Sequence, residues 1–221
     1  MDEVNEKYSG SRDVSAISII ITTIKDNIVT MGSLEHCPVP YEVVISNKRG
    51  LGYARNWGAK QAKNDLLVFL DDDLRLKDEI WKEILSTRKG EFKMTLFQDF
   101  PITRVTVIHK EDFWSIGGFD ERFLYTNEDR DFYARAVMKH LRFTKIPLDL
   151  TVHMAHQRRS KNIHVAIREI TESVMFIQKY ASTFPKTILK VDFLDRLKHR
   201  QIRTLLIQVV LLYYYLIARA E

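Results

Sequence analysis

The segment FLDDDLRL sets Asp71, Asp72 and Asp73 directly after a continuous apolar run, LLVFL. A buried strand that ends in carboxylates delivers them to the carboxyl edge of a sheet, where open parallel sheets bind their ligands. Side chains alternate along a strand, so Asp71 and Asp73 are expected to point one way and Asp72 the other. Two carboxylates converging on one side suit a hard divalent cation, and such a cation suits phosphate oxygens. Carboxylates this close repel one another unless a cation joins them, which makes three in a row costly for a purely structural role. The plainer alternative is a capping cluster ahead of a helix at 77–85, for which one aspartate would be enough.

A second constellation is GGFDERFLYTNEDRDFYAR. Gly117 and Gly118 permit a tight turn, and Glu128, Asp129 and Asp131 open a helix. Acids in a first helical turn complement the helix dipole whether or not they do chemistry. A carboxylate held at a helix start near a sheet edge is also well placed to take a proton from a hydroxyl. The third group is His153 and His156 in TVHMAHQRRS. Neutral imidazole is a good additional ligand for manganese-like ions. Their spacing puts the two on opposite sides of an extended strand, so one ligand at most is expected from the pair.

These groups need a scaffold of alternating strands and helices. The β-branched run 14–24 reads as a buried strand, as do 42–46 and 66–70, and Ala and Trp recur at helical spacing over 53–62. Strand, helix, strand in that order implies a parallel sheet of nucleotide-binding type. A helix is expected at 77–85, a strand at 103–108, a helix over 127–140 capped by Thr126 or Asn127, and a short strand near 150–152. Gly50, Gly52 and Gly58 follow a strand, but a dinucleotide-binding fingerprint would need a glycine where Arg55 stands, and no Walker A string occurs.

The full sequence has 221 residues, is 45% hydrophobic, and carries a formal charge of +5. That length accommodates one domain and an appendage. Cys37 is the sole cysteine, which rules out an internal disulfide framework and makes a reduced, cytoplasmic setting the expectation, as does a polar opening without a secretory apolar stretch. The cations concentrate late, at Arg158, Arg159, Lys161 and then Arg196, Lys198, Arg200 and Arg203. No zinc-finger spacing or RNA-binding signature accompanies them, so no nucleic-acid partner is expected. Past residue 161 the strand signals stop. The stretch TLLIQVVLLYYYLIA at 204–218 has almost no water-compatible face, and at a rise of about 1.5 Å per residue it is short of a full bilayer core. Peripheral membrane contact through 196–219, or burial against the domain or against a second subunit in a homodimer, is expected.

Taken in order, SIIITTI, GLGYARNWGAKQA, FLDDD, GGFDERF and NEDRDFYAR resemble the motif series of family 2 glycosyltransferases with the GT-A fold. The resemblance covers 14 to about 160. It implies an α/β fold, Rossmann-like with a mostly parallel central sheet flanked by helices, over 14–160. A flexible segment, 1–13, would precede it, and a helical C-terminal extension, 161–221, would follow. It further implies inverting transfer from a UDP- or GDP-type sugar to a hydroxyl acceptor, lipid-linked if the tail meets the inner face of the cell membrane. Asp129 matches the general base and Glu128 the acceptor-positioning acid. Thr22, Asn47, Arg55, Asp71 and Asp72 fall where the family contacts the nucleotide sugar. Asp73, with Asp71 and His156, matches the site for Mn²⁺ or Mg²⁺. The family's usual acidic pair after the second strand is here Ser46, Asn47, Lys48. A metal-dependent nucleotidyltransferase and a non-catalytic nucleotide-sugar-binding module are the alternatives.

Overall fold

The computed structural model describes residues 15–97, 100–154 and 163–180. Three strands, β1 (Ile17–Thr22), β2 (Tyr41–Ser46) and β3 (Leu66–Asp71), pair in parallel with β1 in the middle. The helix α1 (Leu51–Gln61) makes the crossover between β2 and β3. The expected order of strand, helix, strand is therefore present, and its cause is visible: Ile17, Ile19, Ile20 and Ile21 are buried on both faces of β1.

The sheet continues through β6 (Phe100–His109), β5 (Glu91–Phe97) and β7 (Arg142–Ile146) in the order β2-β1-β3-β6-β5-β7. β6 runs antiparallel to both of its neighbours, whereas β5 and β7 are parallel to each other. The strand expected at 103–108 is β6, longer than anticipated and reversed. β5 and β7 were not expected at all. Buried Lys93 explains the silence of β5: its amine donates to the Glu83 carbonyl at 2.9 Å and to Ser86 Oγ at 2.8 Å, so a residue that reads as solvent-facing is satisfied inside.

Two apolar layers flank this sheet. On one face Ile19, Val68, Leu70 and Val105 pack with Trp81 and Ile84 of α2 (Ile80–Leu85). On the other, Phe69 and Phe92 meet Phe113 of α3 (Lys110–Ser115), Phe119, and Phe132 of α4 (Glu128–Met138). Phe119 and Phe132 stack at 4.5 Å, which fixes the start of α4 over the sheet. A two-stranded sheet of β4 (Leu74–Leu76) and β8 (Thr151–His153) folds back beside the end of β3. Helix α5 (Ile163–Tyr180) closes the described part of the chain.

One expected detail is corrected. Asn127 precedes α4 but makes no capping bond, because its backbone sits in the left-handed region at φ 65°. Its side-chain oxygen instead accepts from Arg130 at 3.3 Å, and its amide approaches Ser173 Oγ at 3.3 Å. Among the described residues, no helix is long and apolar enough to cross a membrane. The 1–13 segment, the basic residues Arg158, Arg159, Lys161, Arg196, Lys198, Arg200 and Arg203, His156 and the 204–218 stretch lie outside the described residues.

Candidate active site

The aspartate run leaves β3 as a turn, and the turn is fastened from behind. Thr30, buried in a 3₁₀ segment (Val29–His36), donates its hydroxyl to the Asp71 carbonyl at 2.7 Å and accepts from Leu74 N at 3.0 Å. Thr23 Oγ1 donates to Asp72 Oδ2 at 2.5 Å, and Lys25 Nζ donates to Asp72 Oδ1 at 2.9 Å. Asp72 therefore faces the loop after β1. Asp71 and Asp73 face elsewhere: Arg55 Nη2 donates to Asp71 Oδ1 at 3.4 Å, and His153 Nε2 stands 3.4 Å from Asp73 Oδ2. Alternation along a strand does not set this arrangement, because β3 ends at Asp71 and the turn that follows carries Asp72 and Asp73.

Arg55 joins the two constellations. It is 4% exposed, donates through Nη1 to Glu128 Oε1 at 2.9 Å, and lies 5.2 Å from the Phe119 ring centre. A guanidinium between two carboxylates holds the strand end and the helix start at fixed separation. The neighbouring Asn56 does the same for the glycine turn. Its amide donates to the Phe119 carbonyl at 2.9 Å, and its oxygen accepts from Phe119 N at 2.8 Å. Gly118 sits at φ 64°, and a Cβ there would meet Asn56 Oδ1 at 2.6 Å, so only glycine serves this close approach.

A cavity of about 840 Å³ lies between these elements, with Thr22, Arg55, all three aspartates of the run, Glu128, Asp129 and His153 in its wall. Of the residues singled out from the sequence, Asn47 is absent from this wall. It is exposed just past β2, and Lys48 lines the cavity in its place. Asp129 is pushed up to about 7 by burial, with Glu128 adding to the rise and Arg130 opposing it. Asp71 is pushed up to about 6, first by burial and then by Asp73 and Glu128, against the pull of Arg55.

Acid clusters that suppress their own ionisation gain from a cation, so the Asp71 and Asp73 carboxylates, with the His153 imidazole alongside, fit a hard divalent ion. Among the described residues no three His, Cys, Asp or Glu side chains form a ready cage.

Residues 37–133 match the family model for glycosyl transferase family 2. The matched stretch holds Arg55, the aspartate run, Glu128 and Asp129 together. The fold is likewise that of GT-A glycosyltransferases, as the ordered motifs implied. A mannosyltransferase from Pyrobaculum calidifontis, solved with GDP-Man and Mn²⁺, superposes with a TM-score of 0.59 at 14% identity, covering 94% of this chain and 76% of that one. The catalytic domain of Drosophila β1,4-galactosyltransferase 7 with xylobiose gives 0.53 at 16% identity, covering 67% and 76%. A point mutant of that enzyme with manganese, UDP-Gal and xylobiose gives 0.52 at 14% identity, covering 68% and 79%. No curated protein matches the sequence.

Within this GT-A frame, helix α5 supplies groups that no motif announced. Glu172, 1% exposed, accepts the backbone N–H of Leu124 at 3.0 Å, of Tyr125 at 3.0 Å and of Thr126 at 2.8 Å. Lys179 donates to Asp120 at 2.9 Å and to Asp131 at 2.6 Å, and the Tyr180 hydroxyl donates to Asp131 Oδ1 at 2.7 Å. Asp131, expected only as a helix-start acid, is thus a buried anchor, further bound by Arg135 Nε at 2.7 Å. The loop entering α4 is shaped by a carboxylate nearly fifty residues downstream. Replacing Glu172 with alanine leaves three half-buried amides unpaired and is expected to cost about 2–4 kcal/mol. Chemical denaturation measures the loss, and hydrogen exchange should localise it to 124–126.

Proposed function

We propose that the protein is an inverting glycosyltransferase that moves a sugar from a UDP- or GDP-type donor to a hydroxyl acceptor. The observation that carries this reading is one cavity walled both by the Asp71–Asp73 strand end and by Asp129 at the start of α4. The two ends of a displacement need opposite help: the leaving diphosphate must be neutralised and the attacking hydroxyl must lose a proton. Asp73, with Asp71 and either His153 or His156, the latter outside the described residues, would hold a divalent ion, Mn²⁺ or Mg²⁺. When bound, that ion supplies charge neutralisation at the diphosphate.

The remaining work belongs to the chain. Asp129, titrating near 7, accepts the acceptor proton at neutral pH without being fully protonated beforehand. Glu128, held by Arg55, keeps the helix start in place and raises the proton affinity of Asp129 by its own charge. Thr22 and Lys48, at the ends of β1 and β2, face the side where a nucleotide would lie. The known contents of the similar structures, GDP-Man with Mn²⁺ in one and UDP-Gal with manganese in another, agree in chemistry with this reading.

The 14–160 segment acts as the catalytic domain, and 161–221 as a helical extension that meets the cytoplasmic face of a membrane or a second copy of the chain. Incubation with a panel of UDP- and GDP-sugars and either metal tests the reaction class. Release of the nucleoside diphosphate supports glycosyl transfer, whereas release of pyrophosphate would assign nucleotidyl transfer. Donor binding without turnover on any acceptor would assign a binding module.

A further inference from the structure

The half of the cavity remote from β1 and β2 carries a device that the preceding account does not use. β6 pairs regularly with β3 up to Val105, which faces Leu70, so Arg104 follows at the level of Asp71. On its other side β6 loses register with β5: Thr95 pairs with Ile102 while the adjacent Met94 pairs with Thr106. The chain from 103 to 105 is therefore a bulge. Thr95 sustains it by donating its hydroxyl to the Ile102 carbonyl at 2.9 Å and accepting from Val105 N at 3.3 Å. Bulges re-aim a side chain, and here Arg104 lines the cavity.

Of the other cations of that wall, Arg49 is exposed to solvent and three are engaged. Lys25 is paired with Asp72, Arg55 lies between Asp71 and Glu128, and Lys48 sits 5.2 Å from the Trp57 ring centre. Among the described residues none pairs with or accepts a hydrogen bond from Arg104, although it is half-buried. Next to it Thr103, 4% exposed, has a buried hydroxyl without a hydrogen-bond partner. A half-buried guanidinium and an unsatisfied hydroxyl together are costly unless a ligand completes them. Phe97, 46% exposed, and Ile102 add apolar surface alongside.

We propose that this bulge makes Arg104 and Thr103 an anion-binding subsite, so that the acceptor carries a phosphate or carboxylate close to the hydroxyl that is glycosylated, with apolar substance next to it. A planar guanidinium pairs either anion through two parallel N–H bonds. This assignment rests on the reading of the cavity as a glycosyltransferase site only in calling the ligand an acceptor. The binding of the anion itself stands apart from turnover.

The test uses the full chain and small probes. Octyl phosphate, octyl glucuronide, octyl glucoside and inorganic phosphate are titrated by calorimetry into the wild type and into Arg104→Gln and Arg104→Lys, and UDP and GDP with Mn²⁺ are titrated separately. The wild type should bind one of the two anionic octyl probes at least about tenfold more tightly than the glucoside. Arg104→Gln should abolish that preference, Arg104→Lys should keep part of it, and nucleotide affinity should be unchanged. Inorganic phosphate binding as well as octyl phosphate would show that the anion alone suffices, which also supports the subsite. Absence of any anion preference in the wild type would overturn the proposal. So would a loss of nucleotide affinity in Arg104→Gln, which would place the arginine on the donor diphosphate. If no nucleotide binds the wild type while the anion preference is intact, the glycosyltransferase reading fails and the subsite survives.

Discussion

Asp129→Asn is expected to lower turnover by about 10²–10⁴ while leaving donor affinity within about twofold. The amide keeps the shape of the side chain and its place after Asn127, but it has no basic oxygen with which to take a proton. Glu128 cannot substitute, because its carboxylate is engaged by the buried Arg55 guanidinium at 2.9 Å. Single-turnover kinetics on a slow acceptor separates this loss from any change in binding. The pH dependence gives a second signature. Burial and Glu128 raise Asp129 to about 7, so it is protonated and inactive as a base below that value and ionised above it. The turnover of the wild type should therefore climb as pH rises through about 7, and this limb should vanish in Asp129→Asn.

The second large effect belongs to Asp73→Ala, which is expected to abolish the metal-dependent part of nucleotide binding. A ligand present at a hundred times its dissociation constant stabilises the fold by about 2.7 kcal/mol, so the thermal shift produced by UDP or GDP with Mn²⁺ should disappear in the variant. Here too pH matters, through Asp71. Its folded value of about 6 lies above the usual value of about 3.9 for an unfolded aspartate, so the fold binds that proton more tightly than the open chain does. The share of stability from this group is present below about pH 4 and is lost as pH rises through 6. A cation competes with the same proton, so the Mn²⁺-dependent shift in the wild type should be small at pH 5 and large at pH 8. Differential scanning fluorimetry across that range measures both effects.

Much of this site is legible from residue types. The run Asp71, Asp72, Asp73 is placed at a strand end as its apolar lead-in implies, but the separate partners of the three carboxylates come from the turn after β3, which alternation along a strand does not describe. The parallel β1, β2 and β3 were legible because both faces of β1 are buried, and buried parallel strands read as unbroken apolar runs. The far half of the sheet was not. Lys93 and Glu91 stand inside β5, satisfied by partners distant in sequence, and nothing local distinguishes them from surface residues. Glu172 illustrates the same limit at the site itself. Its function arises from the arrival of α5 against 124–126, and a single acid in a long helix carries no mark of that destination. The Asn127 cap failed for a related reason: the turn that seats Glu128 against Arg55 places Asn127 at φ 65°, where its side chain accepts from the Arg130 guanidinium and caps no backbone amide of the helix.

The central claim is that the Asp71–Asp73 end and Asp129 act on opposite ends of a single displacement. The stereochemistry of the product reports on it directly. A proton NMR spectrum recorded early in transfer from an α-linked donor, before the product can equilibrate, shows the anomeric configuration of the new bond. One backside displacement predicts a β-linked product. An α-linked product would contradict the account, because it would require attack from the face of the leaving group or a second displacement for which Asp129 has no place.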